Sequence, residues 1–166
     1  MQLNDTRGFS MIEMLVTLSI AAVILGYGVP AFNGYIANNW VRTITEDFVS
    51  GLNMARTEAV RLNTDVGFYR VGTVGWQVAQ VNPSRIIEQK YTADSFAGIS
   101  VTSLNNQSSV VFNSTGGINS YSVASNLTKL QISSSVANTD QYQVDVFAGG
   151  AIRMCMVNSP VITNGC

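Results

Sequence analysis

Glu13 stands four residues after Phe9, at the edge of a long run without another charge. A carboxylate inside a membrane helix costs roughly 2.5–3.5 kcal/mol on insertion scales and normally has a named partner. The only cation nearby is Arg7, in the polar leader MQLNDTRG. Read by itself, Glu13 is a carboxylate that stays wet at the level of the lipid headgroups. The two cysteines, Cys155 and Cys166, both fall within the last twelve residues. With no histidine in the chain and no Cys-x-x-Cys spacing they make a poor metal site, and no metal is expected. The missing histidine also removes the commonest general base, and with it any Ser/His/Asp or Cys/His arrangement. The carboxylates Asp65, Glu88, Asp94, Asp140 and Asp145 are scattered, and no Walker-type phosphate loop is present. Lys129 and Arg153 are the only basic residues after Lys90, so no run of cations could follow a phosphate backbone. The expectation is a protein that is not an enzyme and holds no cofactor.

Composition agrees. The 166 residues are 46% hydrophobic and only 11% charged, with a formal net charge of −1. About a quarter of an ordinary soluble domain is charged, so this chain is low by roughly half. From Asn33 onward eight basic residues balance eight acidic ones, which argues against a polyanion binder working through bulk charge. The apolar content is too high for a disordered chain, and the length suits one domain with a real core.

The apolar excess is concentrated at the front. Met14 to Phe32 reads MLVTLSIAAVILGYGVPAF, nineteen positions without a charge. At ~1.5 Å per residue this is enough for the ~30 Å hydrocarbon core of a bilayer. A secretory signal peptide would be shorter and followed by a small-residue cleavage site, and a buried core helix would show a polar face. The run is therefore expected to span a membrane. Gly26, Gly28 and Pro30 form a weak point within it, because proline removes one backbone hydrogen bond and crowds the preceding turn. Bending or melting around 26–30 is expected on packing.

The helical pattern continues past Pro30. Val41, Ile44, Phe48, Leu52, Ala55, Ala59 and Leu62 recur at spacings of three and four, one apolar stripe. Arg42, Glu46, Asp47, Arg56, Glu58 and Arg61 lie mostly off it and suit a solvated face. Gly51 reads as a tolerated blemish costing about 1 kcal/mol relative to alanine. A helix from about Phe9 to Asn63 would be on the order of 80 Å long. Beyond Thr64 the period changes to two. Strands are expected near 65–71, 75–81, 86–91, 98–103, 109–113, 128–133, 141–147 and 151–156. Turns are expected at 72–75, Gly116-Gly117 and Gly149-Gly150. One long helix packed on an antiparallel β-sheet head gives an α+β fold.

The stretch Arg7-Gly8-Phe9-Ser10-Met11-Ile12-Glu13-Met14-Leu15 resembles the processing site of type IV prepilins and type II secretion pseudopilins. In that family a prepilin peptidase cuts after the glycine and the new N-terminal phenylalanine is N-methylated. Glu13 is the fifth residue counting from Phe9, where the family carries its signature glutamate, and Pro30 is the twenty-second, where many members carry proline. The resemblance implies residues 1–8 as leader, 9–32 as the transmembrane and filament-core helix, and 33–166 as a periplasmic or extracellular head. It also implies that Glu13 pairs during assembly with the amine of a neighbouring subunit. Removing one partner of a buried ion pair costs ~3–5 kcal/mol, so such a pairing would set register. A head outside the cytoplasm meets an oxidising compartment, where Cys155 and Cys166 would close, contributing about 2–3 kcal/mol and tying 158–165 to the last strand.

A second resemblance covers nearly the whole chain. Leu52 to Asn63, containing Ala55-Arg56-Thr57-Glu58-Ala59-Val60-Arg61, is similar to the GspH/FimT family of minor pilins and pseudopilins, as are Gly75-Trp76-Gln77-Val78 and Gly150-x-x-Arg153-Met154-Cys155. It implies the type IV pilin fold and a single-pass inner-membrane protein with its head in the periplasm, later part of an extracellular pilus. It further implies partners: other minor pilins, the major pilin and the inner-membrane assembly platform. The function implied first is that of a FimU-type minor pilin, priming assembly and sitting in the fibre tip, in support of twitching motility and natural transformation. A GspH-type minor pseudopilin of type II secretion is the second reading. A FimT-type DNA receptor is the third. Its Gly-Arg-x-Arg motif is matched here by Gly150-Ala151-Ile152-Arg153, with only Arg153 retained. One phosphate contact gives little affinity at physiological salt, so DNA is not the favoured partner.

Overall fold

The computed structural model describes residues 9–90, 98–119 and 126–157, with backbone alone for 27–31. Helix α1 spans Met11–Leu62, 52 residues, about 80 Å at ~1.5 Å per residue. It is unbroken through Gly26, Gly28 and Pro30. Its end is set by Asn63, which adopts the left-handed conformation (φ 49°). The Asn63 N–H donates to the Val60 carbonyl and the Thr64 N–H to the Ala59 carbonyl at 3.1 Å, closing a Schellman motif.

Eight strands follow: β1 (Val66–Val71), β2 (Gly75–Gln80), β3 (Arg85–Lys90), β4 (Ile99–Ser103), β5 (Ser109–Phe112), β6 (Lys129–Ser134), β7 (Tyr142–Val146) and β8 (Ile152–Met156). They match the expected strands to within a residue or so at each end; Tyr91 and Asp94 lie outside the described residues. The head is antiparallel throughout, as expected. The strands form two four-stranded antiparallel sheets, ordered β3-β2-β1-β5 and β4-β6-β7-β8. β4 and β5 are consecutive in the chain yet belong to different sheets, so the 99–112 segment crosses from one to the other.

Both sheets lay an apolar face on the second half of α1. The first contributes Val66, Phe68, Val78, Val110 and Phe112; the second contributes Val101, Leu130, Ile132, Val144 and Val146. These residues alternate along their strands and meet in register, as Phe68 does with Val78 and Val110, and Leu130 with Val144. Val41, Ile44, Phe48, Leu52, Ala55 and Ala59 of the helical stripe are all buried in this core. Leu62, expected on the stripe, is exposed, at the rim of a cleft it shares with Gln80 of β2 and Ile86 of β3. Full burial of each large aliphatic side chain contributes ~1.5–3 kcal/mol, so this seam is where the helix acquires most of its stability.

Gly51 is not a blemish. A Cβ there would lie 2.9 Å from ring carbons of Phe68 and Trp76. The ring centroids of Phe48 and Phe68 are 5.9 Å apart edge to face, and Phe68 and Trp76 are 5.9 Å apart and stacked. The glycine lets this aromatic cluster press against the helix.

Candidate functional site

Two regions bear on function: the uncovered first half of α1, and the seams that hold the two sheets and the helix together. On α1, the described side chains from Met11 through Leu25 are exposed, with Phe9 79% and Met11 89% exposed. Met14, Leu15, Val16, Leu18, Ile20, Val23, Ile24 and Leu25 form an apolar surface on every side of the helix. No part of the described head reaches them. Glu13 is exposed among them, in the first turn, where the N-terminal end of the helix dipole favours a carboxylate. Thr17 and Ser19 donate their hydroxyls to the Met14 and Leu15 carbonyls, which leaves these polar groups satisfied within the helix. Among the described residues no helix is long and apolar enough to cross a membrane. The membrane span expected at 9–32 is therefore not shown by the described residues.

The surface charges of the helix divide into two kinds. Arg42–Glu46 (2.8 Å) and Arg61–Glu58 (2.7 Å) are exposed pairs along the helix. In each, the hydrogen bond to the glutamate raises the arginine pKa. Exposed pairs of this type contribute little to stability. Lys90 reaches from β3 to Asp47 of α1 at 2.6 Å.

Arg56 differs from the solvated residue expected. Its Nε donates to the Gly116 carbonyl at 3.0 Å. Gly116 belongs to the turn after β5, which docks on the β7–β8 turn through the Ile118 N–H to Ala148 carbonyl bond at 2.9 Å. Gly150 completes the junction. Its φ is +80°, and a Cβ on it would lie 1.8 Å from the Gly116 oxygen. Arg56, Gly116 and Gly150 thus lock the helix and both sheets at one point.

A second seam is polar. Asn126, almost fully buried, accepts from the Val111 N–H and donates to the Asn119 carbonyl, while its own carbonyl accepts from Asn105. Asn119 donates to Asp65 at 2.7 Å. Of the carboxylates weighed for chemistry, Asp65 is therefore spent on structure, and Asp145 accepts from Gln143 at 2.7 Å. Among the described residues no three His, Cys, Asp or Glu side chains gather as metal ligands.

Arg153 is exposed on β8, its guanidinium 5.6 Å from the centre of the Phe147 ring. Asp145 stands opposite it on β7, with Lys129 opposite Asp145 on the other side. A carboxylate between two cations lowers the positive potential a phosphate would meet. Cys155 is partly buried on the same strand and is not a free thiol; Gly8 and Cys166 lie outside the described residues.

A long N-terminal helix whose second half is packed on antiparallel sheets, and whose first half is apolar and uncovered, defines the chain as a pilin-like protein. Residues 3–28 match the prokaryotic N-terminal methylation motif, and residues 45–150 match the family described as type II transport protein GspH. The chain belongs to that GspH family. Two crystal forms of the type IV minor pilin FimU of Pseudomonas aeruginosa strain PAO1 share its fold. One has a TM-score of 0.55 at 14% identity, covering 73% of this chain and 95% of that one. The other has a TM-score of 0.52 at 13% identity, covering 71% and 98%. No curated protein gives a match. Membership of this family, together with the methylation motif, places the protein in the pilin and pseudopilin class.

Proposed function

We propose that the protein is a minor pilin of a type IV pilus, which helps prime assembly at the inner membrane and takes its place in the fibre tip complex. The observation that carries this reading is the bare apolar half of α1, topped by a leader motif and by Glu13. Exposed apolar surface on this scale is unfavourable in water at about 25 cal/mol per Å² and calls for a cover. A bilayer supplies that cover before assembly, and the helices of neighbouring subunits supply it afterwards.

In this reading residues 1–8 are removed by prepilin peptidase after Gly8, and 9–32 anchor the precursor and then enter the filament core. Residues 33–166 form the periplasmic head that recognises other minor pilins and the major pilin. Glu13 meets the N-terminal amine of an adjacent Phe9, and the Gly26, Gly28 and Pro30 region yields as the helices pack. Cys155 pairs with Cys166. Twitching and natural transformation depend on such a subunit through the fibre it helps to start.

A pseudopilin of type II secretion is the second reading, favoured by the description of the matched family. Direct DNA binding is disfavoured by Asp145 beside Arg153. The test is Glu13→Ala expressed as the only copy. Membrane insertion should persist, because a charge leaves the lipid, while incorporation into filaments falls. Normal incorporation would leave Glu13 a wet carboxylate. Whether the loss is in pili or in secretion distinguishes the two machines.

A further inference from the structure

A cavity of about 360 Å³ opens between the end of β1 and β4, lined by Arg70, Thr102, Ser103, Asn106, Gln107 and Ser108. Arg70 is held there firmly. Its backbone N–H donates to the Ser108 carbonyl at 2.8 Å, and its Nη2 donates to the Val101 carbonyl. Its Nε is buried and has no partner. Burial also lowers the pKa of the guanidinium, with no charge among the described residues acting against the shift. Bridging two strands through one neutral carbonyl needs a single donor and no charge. An arginine brings five donors and a cation that does not deprotonate, and half-burying it without a counter-ion is costly.

We propose that this cavity is a carboxylate-binding site in which Arg70 is the cation. The stoichiometry of charge favours a carboxylate over a phosphate. Among the described residues Arg70 is the one cation lining the cavity, and the N–H groups of its guanidinium that are left after the Val101 bond, Nε being closed off, suit the oxygens of a monoanionic carboxylate. A phosphate would bring more charge than one half-buried arginine can offset. The remaining lining is neutral. Ser103 is committed to Asn105 and the Gln107 N–H. Asn106, Gln107 and Ser108 remain to give neutral hydrogen bonds around the anion. The carboxylate is either an Asp or Glu side chain of an adjoining subunit or a free small acid. Only the first of these sources rests on the minor-pilin reading.

The test uses the full-length chain in nonionic detergent, labelled with ¹⁵N, and titrated with sodium acetate or with sodium chloride at equal ionic strength. Acetate should shift the Arg70 Nε–H signal and the Gln107 and Ser108 amides along a saturating curve. Half-saturation should fall near ~10 mM, as for one charge-assisted pair in a wet site. Chloride should give no saturating shift. Arg70→Lys keeps the charge but loses the fork and should weaken acetate by about tenfold; Arg70→Gln should abolish saturation. Equal responses to acetate and chloride, or saturation undiminished in Arg70→Lys, would overturn the site.

A second arm identifies the source by co-purifying other pilin subunits with wild type and with Arg70→Gln from detergent-solubilised membranes. Loss of those subunits in the variant assigns the carboxylate to a partner. Their retention, with acetate binding lost, assigns it to a free acid. Failure of the minor-pilin reading would remove only this second arm and leave the acetate titration to stand or fall by itself.

Discussion

Gly51 of the helix and Trp76 of β2 meet so closely that a Cβ on the glycine would stand 2.9 Å from the indole carbons. Alanine at this position gains about 1 kcal/mol of helix propensity. Against that, overpacking a buried aromatic cluster costs typically ~1–3 kcal/mol. Gly51→Ala should therefore lower the stability of the head, by about 1 kcal/mol, in chemical denaturation of the full chain in detergent. A stabilised variant would mean that the helix and the first sheet are not in this contact.

The junction of Arg56, Gly116 and Gly150 makes a sharper prediction. Gly150→Ala puts a Cβ 1.8 Å from the Gly116 oxygen at a positive φ, and should cost at least ~3 kcal/mol. Arg56→Gln should cost about 1.5–3 kcal/mol, the range for a lost hydrogen bond from a charged donor. Gly149→Ala is the control. A Cβ there meets nothing within 4 Å, so the change should stay within ~0.5 kcal/mol.

These contacts mark where the sequence was legible and where it was not. The eight strands and the stripe from Val41 to Ala59 could be read because burial on one face writes itself as alternation or as three-four spacing. The division into two sheets could not. It depends on which strands pair across distance, and polar residues such as Asn126 and Arg70 that hold the seams carry no periodic signal. Arg56 looked like a surface charge because the carbonyl it binds is sixty positions away. Gly51 looked unfavourable because its benefit lies in the rings opposite. The N-terminal methylation motif was legible at once, since it is written in local order along the chain.

The cysteines give a third prediction. If Cys155 pairs with Cys166, the unfolded but unreduced protein should take up essentially no thiol reagent, and two equivalents after reduction. Cys155→Ser should lower stability by about 2–3 kcal/mol, the contribution of closing a short loop. Free thiol before reduction would contradict the pairing.

The proposed function requires that the chain is processed and that the exposed apolar half of α1 enters a membrane or a filament. Intact mass and N-terminal peptide analysis of the protein recovered from membranes and from sheared filaments tests this most directly. The expected result is a mature chain that has lost Met1–Gly8 and begins at an N-methylated Phe9. A mature chain that retains the leader, or one cut after residue 32, would contradict it.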